Sequence, residues 1–162
     1  MIEKKVLVLF FMGQGGYLFS MGIPVMARKV ASLSPRVITK VYRYVDFDPA
    51  AKDIQNFRKL GYKIVLVGYS LGNTTTTLLQ ETYDVDTLIA IAESQLAGQN
   101  NHRIEHKHTK RSILFYSNAD ALSSAGLNSG FDIEIKTGYT HLLFPWATTV
   151  VNRVIEEVRK LL

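Results

Sequence analysis

Cysteine is absent from the 162-residue chain. That excludes a disulfide framework, a cysteine nucleophile and any cysteine-ligated metal. It agrees with a reducing compartment, so a cytoplasmic location is the expectation. Long hydrophobic runs are absent as well. The longest wholly apolar stretch, Val6 to Met12, falls far short of a membrane span. Lys4 and Lys5 before it, and small residues near Ala27 after it, mimic a secretory signal. Gly13-Gln14-Gly15-Gly16 breaks the run at once, so it reads as a buried first strand. No internal repeat, low-complexity tract or nucleic-acid-binding motif occurs.

Hydrophobic residues make up 47% and charged residues 20%, the profile of a globular chain. The length fits one domain spanning 1–162. Lys and Arg number 19 against 14 Asp and Glu, for a net charge of +5. An excess of this size permits anionic partners without requiring them.

Short apolar runs alternate with amphipathic stretches. Strands are expected at Lys5 to Met12, Arg36 to Tyr44, Lys63 to Val67, Asp86 to Ala92, Ser112 to Ser117 and Phe131 to Lys136. Helices are expected from about Met21 to Leu33 with Ser20 as N-cap, from Asp48-Pro49 to Gly61 with Asp48 as N-cap, from Leu71 to Tyr83, and from near Pro145 onward. This alternation predicts an α/β three-layer sandwich around a mostly parallel six-stranded sheet. In such sheets functional groups gather at the carboxyl ends of the strands.

Directly after the third strand comes Gly68-Tyr69-Ser70-Leu71-Gly72. A G-x-S-x-G pentapeptide between strand and helix turns sharply and lifts the serine to the apex of the turn. Thr74 to Thr77, four β-branched residues, oppose helix in the stretch that follows. A serine hydroxyl needs a base beside it to become nucleophilic. Of four histidines, three crowd into one polar segment, and His141 stands alone between the last strand and the last helix. Asp120 follows the fifth strand and completes the order Ser, acid, His. Glu93 is the alternative acid, and Asp132, inside the sixth strand, is less well placed. An oxyanion site needs backbone donors. Leu71 supplies one, and Gln14, with Gly15 as the alternate, supplies the other from the glycine loop after the first strand. That loop matches neither G-x-G-x-x-G nor G-x-x-x-x-G-K-[ST], so no phosphate-binding motif is present.

On these residues the sequence resembles the α/β-hydrolase family. The matching positions are Gly68 to Gly72, Asp120, His141 and the Gly13 to Gly16 loop, and the likeness in element order covers nearly the whole chain. It looks like a compact form, close in size to cutinase-like enzymes and small phage-borne esterases. The family's opening antiparallel strands and large helical cap have no counterpart here. The resemblance implies a serine esterase or lipase-type hydrolase, acting on a carboxylic ester or thioester through an acyl-enzyme. Ser70, His141 and Asp120 are then its triad, Leu71 and Gln14 its oxyanion hole, and no cofactor or metal is expected. The expected partner is a small-molecule or acyl-ester substrate.

Between strands four and five lies a polar insertion at about 94–111. Arg103, Lys107, Lys110 and Arg111 against Glu105 give it a net charge of +3. It holds His102-Arg103-Ile104-Glu105-His106, a literal H-x-x-E-H, but no helix signature surrounds it and no further metal ligand is evident. Caps insert at this point in the family, so the segment is expected to border the site. That makes an anionic surface a secondary expectation. The alternative function is a catalytically inactive binding module on the same scaffold, using its basic surface. A flavodoxin-like binder is a third reading.

Overall fold

The computed structural model describes residues 3–93, 104–120, 122 and 130–162. Six strands form one sheet: β1 Lys5–Met12, β2 Val37–Arg43, β3 Tyr62–Tyr69, β4 Thr87–Ile91, β5 Ser112–Ser117 and β6 Ile133–Thr137. Their order is β2-β1-β3-β4-β5-β6, and every described pairing is parallel. The helices among the described residues are α1 Tyr17–Ser20, α2 Gly22–Ala31, α3 Phe47–Lys59, α4 Gly72–Thr82 and α5 Thr148–Arg159. This is the three-layer α/β architecture read from the sequence, with the sheet wholly parallel.

The reason is visible in β1. Its residues Val6 to Met12 are all buried, as a central strand covered on both faces requires. Alternate side chains serve opposite faces. Val6, Val8, Phe10 and Met12 join Met26 and Val30 of α2 and Val150, Val154 and Val158 of α5. Leu7, Leu9 and Phe11 join Ala50 and Ile54 of α3 and Leu79 of α4. The edge strands differ. In β6 exposed Glu134 and Lys136 alternate with half-buried Ile133 and Ile135. The chain turns one way from β1 to β2 and the other way from β3 onward. The carboxyl ends of β1 and β3 therefore flank a topological switch point, where such sheets place their ligands.

Several helix boundaries depart from expectation. Ser20 does not cap α2. It ends the short helix α1, and its buried hydroxyl accepts the Gly13 amide at 3.2 Å. Asp48 lies inside α3 rather than at its cap. Asp46 holds the cap position, but its carboxylate is drawn to Arg43, at 2.9 Å from both the amide and Nη2. Pro145 sits in a 3-10 turn, His141–Trp146, and α5 begins at Thr148. The threonine run does form helix, because its hydroxyls have partners. Thr76 and Thr77 donate back to the Asn73 carbonyl at 3.0 and 2.9 Å, and Thr75 donates to Tyr44 across the loop.

Two buried carboxylates brace the amino edge of the sheet and α5. Asp86 accepts the Ile64 amide at 2.9 Å and pairs with Arg58 at 2.8 Å and Lys110 at 3.0 Å. Glu157 meets Arg111 at 2.7 Å, Lys160 at 2.7 Å and Arg153 at 3.0 Å. Burial pushes both carboxyls up, but their hydrogen bonds and cationic neighbours prevail and hold both below the ordinary range.

A folded-state value below the unfolded one means that the unfolded chain takes up protons first on acidification. This share of stability is therefore full above about pH 4.5 and is lost as pH falls through the lowered folded values. Urea denaturation between pH 7 and pH 3 should show that decline. Glu157→Gln should flatten it and lower stability at pH 7 by about 1–3 kcal/mol, since its cations still reach solvent.

Candidate active site

The chain leaves β3 and enters α4 through Ser70, which is held at φ 53 in the left-handed region. For a residue with a side chain this costs about 1–3 kcal/mol unless its surroundings enforce it. Here they do. The Ser70 amide donates to the Ile91 carbonyl at 3.0 Å. The Asn73 side chain donates to the Ser70 carbonyl at 3.0 Å and to the Ile91 carbonyl at 2.9 Å. The flanking glycines permit the turn. A Cβ on Gly68 would lie 2.9 Å from the Asn73 Cα, and one on Gly72 would strike the Phe11 backbone. Gly13, after β1, faces the serine itself. A Cβ there would lie 2.8 Å from the Ser70 Cβ.

The three side chains singled out by chain order converge. His141 Nε2 lies 2.8 Å from Ser70 Oγ, and His141 Nδ1 lies 2.7 Å from Asp120 Oδ2. With a carboxylate at Nδ1 the ring proton resides there, which leaves Nε2 to accept the serine proton. The Leu122 amide donates to Asp120 Oδ1 at 2.9 Å. Asp120 is buried and Ser70 is 8% exposed, enough to meet a ligand from one side only. A hydroxyl, an imidazole and a carboxylate in this sequence can pass a proton from oxygen to nitrogen as the oxygen attacks.

The other predicted residues sort clearly. His141 turns to Asp120, not to Glu93, which is buried beyond the end of β4. Asp132 lies before β6 at the opposite edge, where it accepts the Ser112 amide at 2.7 Å. Gln14 and Gly15 line the cleft beside Ser70. The amides of Gln14 and Leu71 donate to no group among the described residues. Leu71 also stands at the N-terminus of α4, whose dipole favours negative charge there.

The basic segment is placed differently from expectation. Its first part, 94–103, including His102 and Arg103, lies outside the described residues. Lys110 and Arg111, by contrast, lie at the amino edge of the sheet, bound to Asp86 and Glu157. His108 pairs with Asp84 at 2.8 Å on that same side. The described part of the segment therefore does not border the serine. Among the described residues, no group of three or more acidic or histidine side chains is arranged to hold a metal. No helix among them is long and apolar enough to cross a membrane.

Sequence reasoning missed two supports. Tyr69 donates to the His141 carbonyl at 2.8 Å, and its ring lies 5.2 Å from the imidazole. Burial, with the Asp120 charge added, pushes the Tyr69 phenol well up, so it stays a donor. Asn73 is the second. Its only sequence signal is that it follows the pentapeptide directly. A cleft of about 610 Å3 opens above the serine, lined also by Phe19, Leu122 and Leu142.

No protein-family model and no curated protein sequence matches the chain. Solved structures do. A candidate hydrolase of the alpha/beta superfamily from Xanthomonas campestris pv. campestris aligns with TM-score 0.67 at 12% identity, over 98% of each chain. A cutinase-like protein from Cryptococcus sp. aligns with TM-score 0.61 at 15% identity, over 98% of this chain and 95% of the other. An alpha-beta serine hydrolase homologue from Coxiella burnetii aligns with TM-score 0.58 at 14% identity, over 100% and 88%. The fold is that of the α/β hydrolases, in a form with little added to it.

Asn73→Ala removes two buried hydrogen bonds that clamp the turn. It should cost about 1–3 kcal/mol, seen as a melting temperature lower by several degrees.

Proposed function

We propose that this protein is a serine hydrolase that cleaves a carboxylic ester or thioester through an acyl-enzyme. The observation that carries this reading is the unbroken chain of hydrogen bonds from Ser70 through His141 to Asp120, at the apex of a strained turn. The similarity of fold to proteins described as hydrolases supports it at a coarser level.

Ser70 Oγ attacks the substrate carbonyl carbon as His141 Nε2 removes its proton. The carbonyl π electrons move onto oxygen, and the Leu71 and Gln14 amides stabilise that negative charge. Asp120 holds the imidazolium that forms. Collapse of the tetrahedral adduct breaks the bond to the alcohol or thiol, which leaves with the proton from His141. Water then enters and bonds through its oxygen to the acyl carbon as His141 Nε2 takes its proton; the Oγ–acyl bond then breaks, Oγ takes that proton from His141, and the acid is released. Each step conserves the proton on a named atom, and the two half-reactions together consume one water.

The described basic side chains at the amino edge are engaged in the Asp86 and Glu157 clusters. They offer little to an inactive module that binds by its basic surface.

A fluorophosphonate probe should label the wild-type protein on Ser70, and Ser70→Ala should abolish labelling. Asp120→Asn should keep the fold while lowering turnover of p-nitrophenyl acetate by about 10³–10⁴. Absence of labelling in correctly folded wild-type protein refutes the reading.

A further inference from the structure

Ten large apolar side chains stand exposed among the described residues. Scattered singly, such residues need no explanation. These are not scattered. Seven of the ten fall in two segments, 13–27 and 137–152, and an eighth, Leu122, lines the cleft. The helix α1 packs against the 3-10 turn that carries His141, so the two segments form one wall beside the serine. Phe19 and Leu142 face into the cleft, whereas Leu18, Leu143 and Trp146 stand outside its lining at 77%, 54% and 52% exposure.

The same two segments hold no Asp, Glu, Lys or Arg, although these types make up 20% of the chain. These two segments bring no Asp, Glu, Lys or Arg to the cleft mouth, and the described clusters around Asp86 and Glu157 lie at the opposite edge of the sheet. An exposed apolar patch around a binding cleft marks a surface that meets another phase or partner. An anionic membrane needs cations at the contact, and none is present on these segments. A pair of segments free of these charges and carrying exposed Tyr17 and Trp146 suits a neutral apolar phase, since such rings place an apolar body and a polar tip at a boundary.

The geometry points to a docking surface for aggregates of neutral lipid ester, formed by Leu18, Leu143 and Trp146 and continuous with the cleft. It rests on the ester-hydrolase reading and deepens it. The substrate class is a neutral acyl ester presented at an apolar surface. On docking, apolar area leaves water on both sides while the cleft mouth faces the ester.

The test uses the full chain and separates docking from chemistry. Ser70→Ala protein should partition onto a tributyrin emulsion as the wild type does, and 0.5 M salt should not release it. Leu18→Ser with Leu143→Ser should reduce that partition about tenfold or more and slow emulsion turnover in step. Turnover of dissolved p-nitrophenyl acetate should stay at the wild-type level, which also shows that the variant is folded. Leu60→Ser, an exposed apolar residue outside these segments, should change nothing. Equal partition of the double variant and the wild type overturns the proposal, as does salt-labile binding confined to anionic phosphatidylglycerol vesicles. A concentration-dependent dimer abolished by the double variant assigns the surface to a second copy and overturns it too. Fluorophosphonate labelling without emulsion binding sinks the docking surface and leaves the hydrolase reading intact.

Discussion

The whole site depends on one unfavourable backbone conformation at Ser70. A left-handed residue at the junction of β3 and α4 relaxes unless it is clamped. The clamp is a neighbouring strand and a helix side chain: the Ile91 carbonyl at the end of β4 receives both the Ser70 amide and the Asn73 side chain. The sheet thus fixes the position of the hydroxyl. Because β1 lies on the other side of β3, Gly13 abuts the same serine and brings the glycine loop to it. The close approach that forces glycine at position 13 also brings Gln14 to the wall of the cleft.

Much of this was legible from residue order because parallel sheets place functional groups at one edge. Ser70, Asp120 and His141 each follow a strand, so their common edge could be read without knowing any distance. The choice between Asp120 and Glu93 could be read only as a preference. It turns on the path of the chain after β5, where the Leu122 amide secures Asp120. Ser20 looked like a cap by type, and its hydroxyl instead receives the Gly13 amide. Asp48 suits a helix start by type, yet Asp46 holds the cap position, and Arg43 decides what its carboxylate does. Tyr69 gave no signal, since a tyrosine buried for packing and one buried to hold a histidine loop look alike in sequence.

The basic segment was misplaced for a topological reason. A connection between parallel strands leaves the carboxyl edge and must return to the amino edge before the next strand begins. Residues late in such a connection therefore lie far from the chemistry. Lys110 and Arg111 immediately precede β5, and this places them against Asp86 and Glu157. Positive charge that looked like a recognition surface is, in these described residues, a brace between sheet and helix. The two sets of groups lie at opposite ends of the strands: the Asp86 and Glu157 clusters at the amino edge, and Ser70, His141 and Asp120 at the carboxyl edge.

The reactive groups come from four distant stretches: the loop after β1, the turn after β3, the residues after β5, and the 3-10 turn after β6. A chain made from its N-terminus exposes Ser70 well before His141 exists to accept its proton. On the hydrolase reading proposed above, the serine is therefore chemically silent through most of synthesis. It becomes competent only when the last strand and the segment leading into α5 have joined the sheet. On that reading, reactivity reports completion of folding, and a truncated or half-assembled chain carries no activated serine.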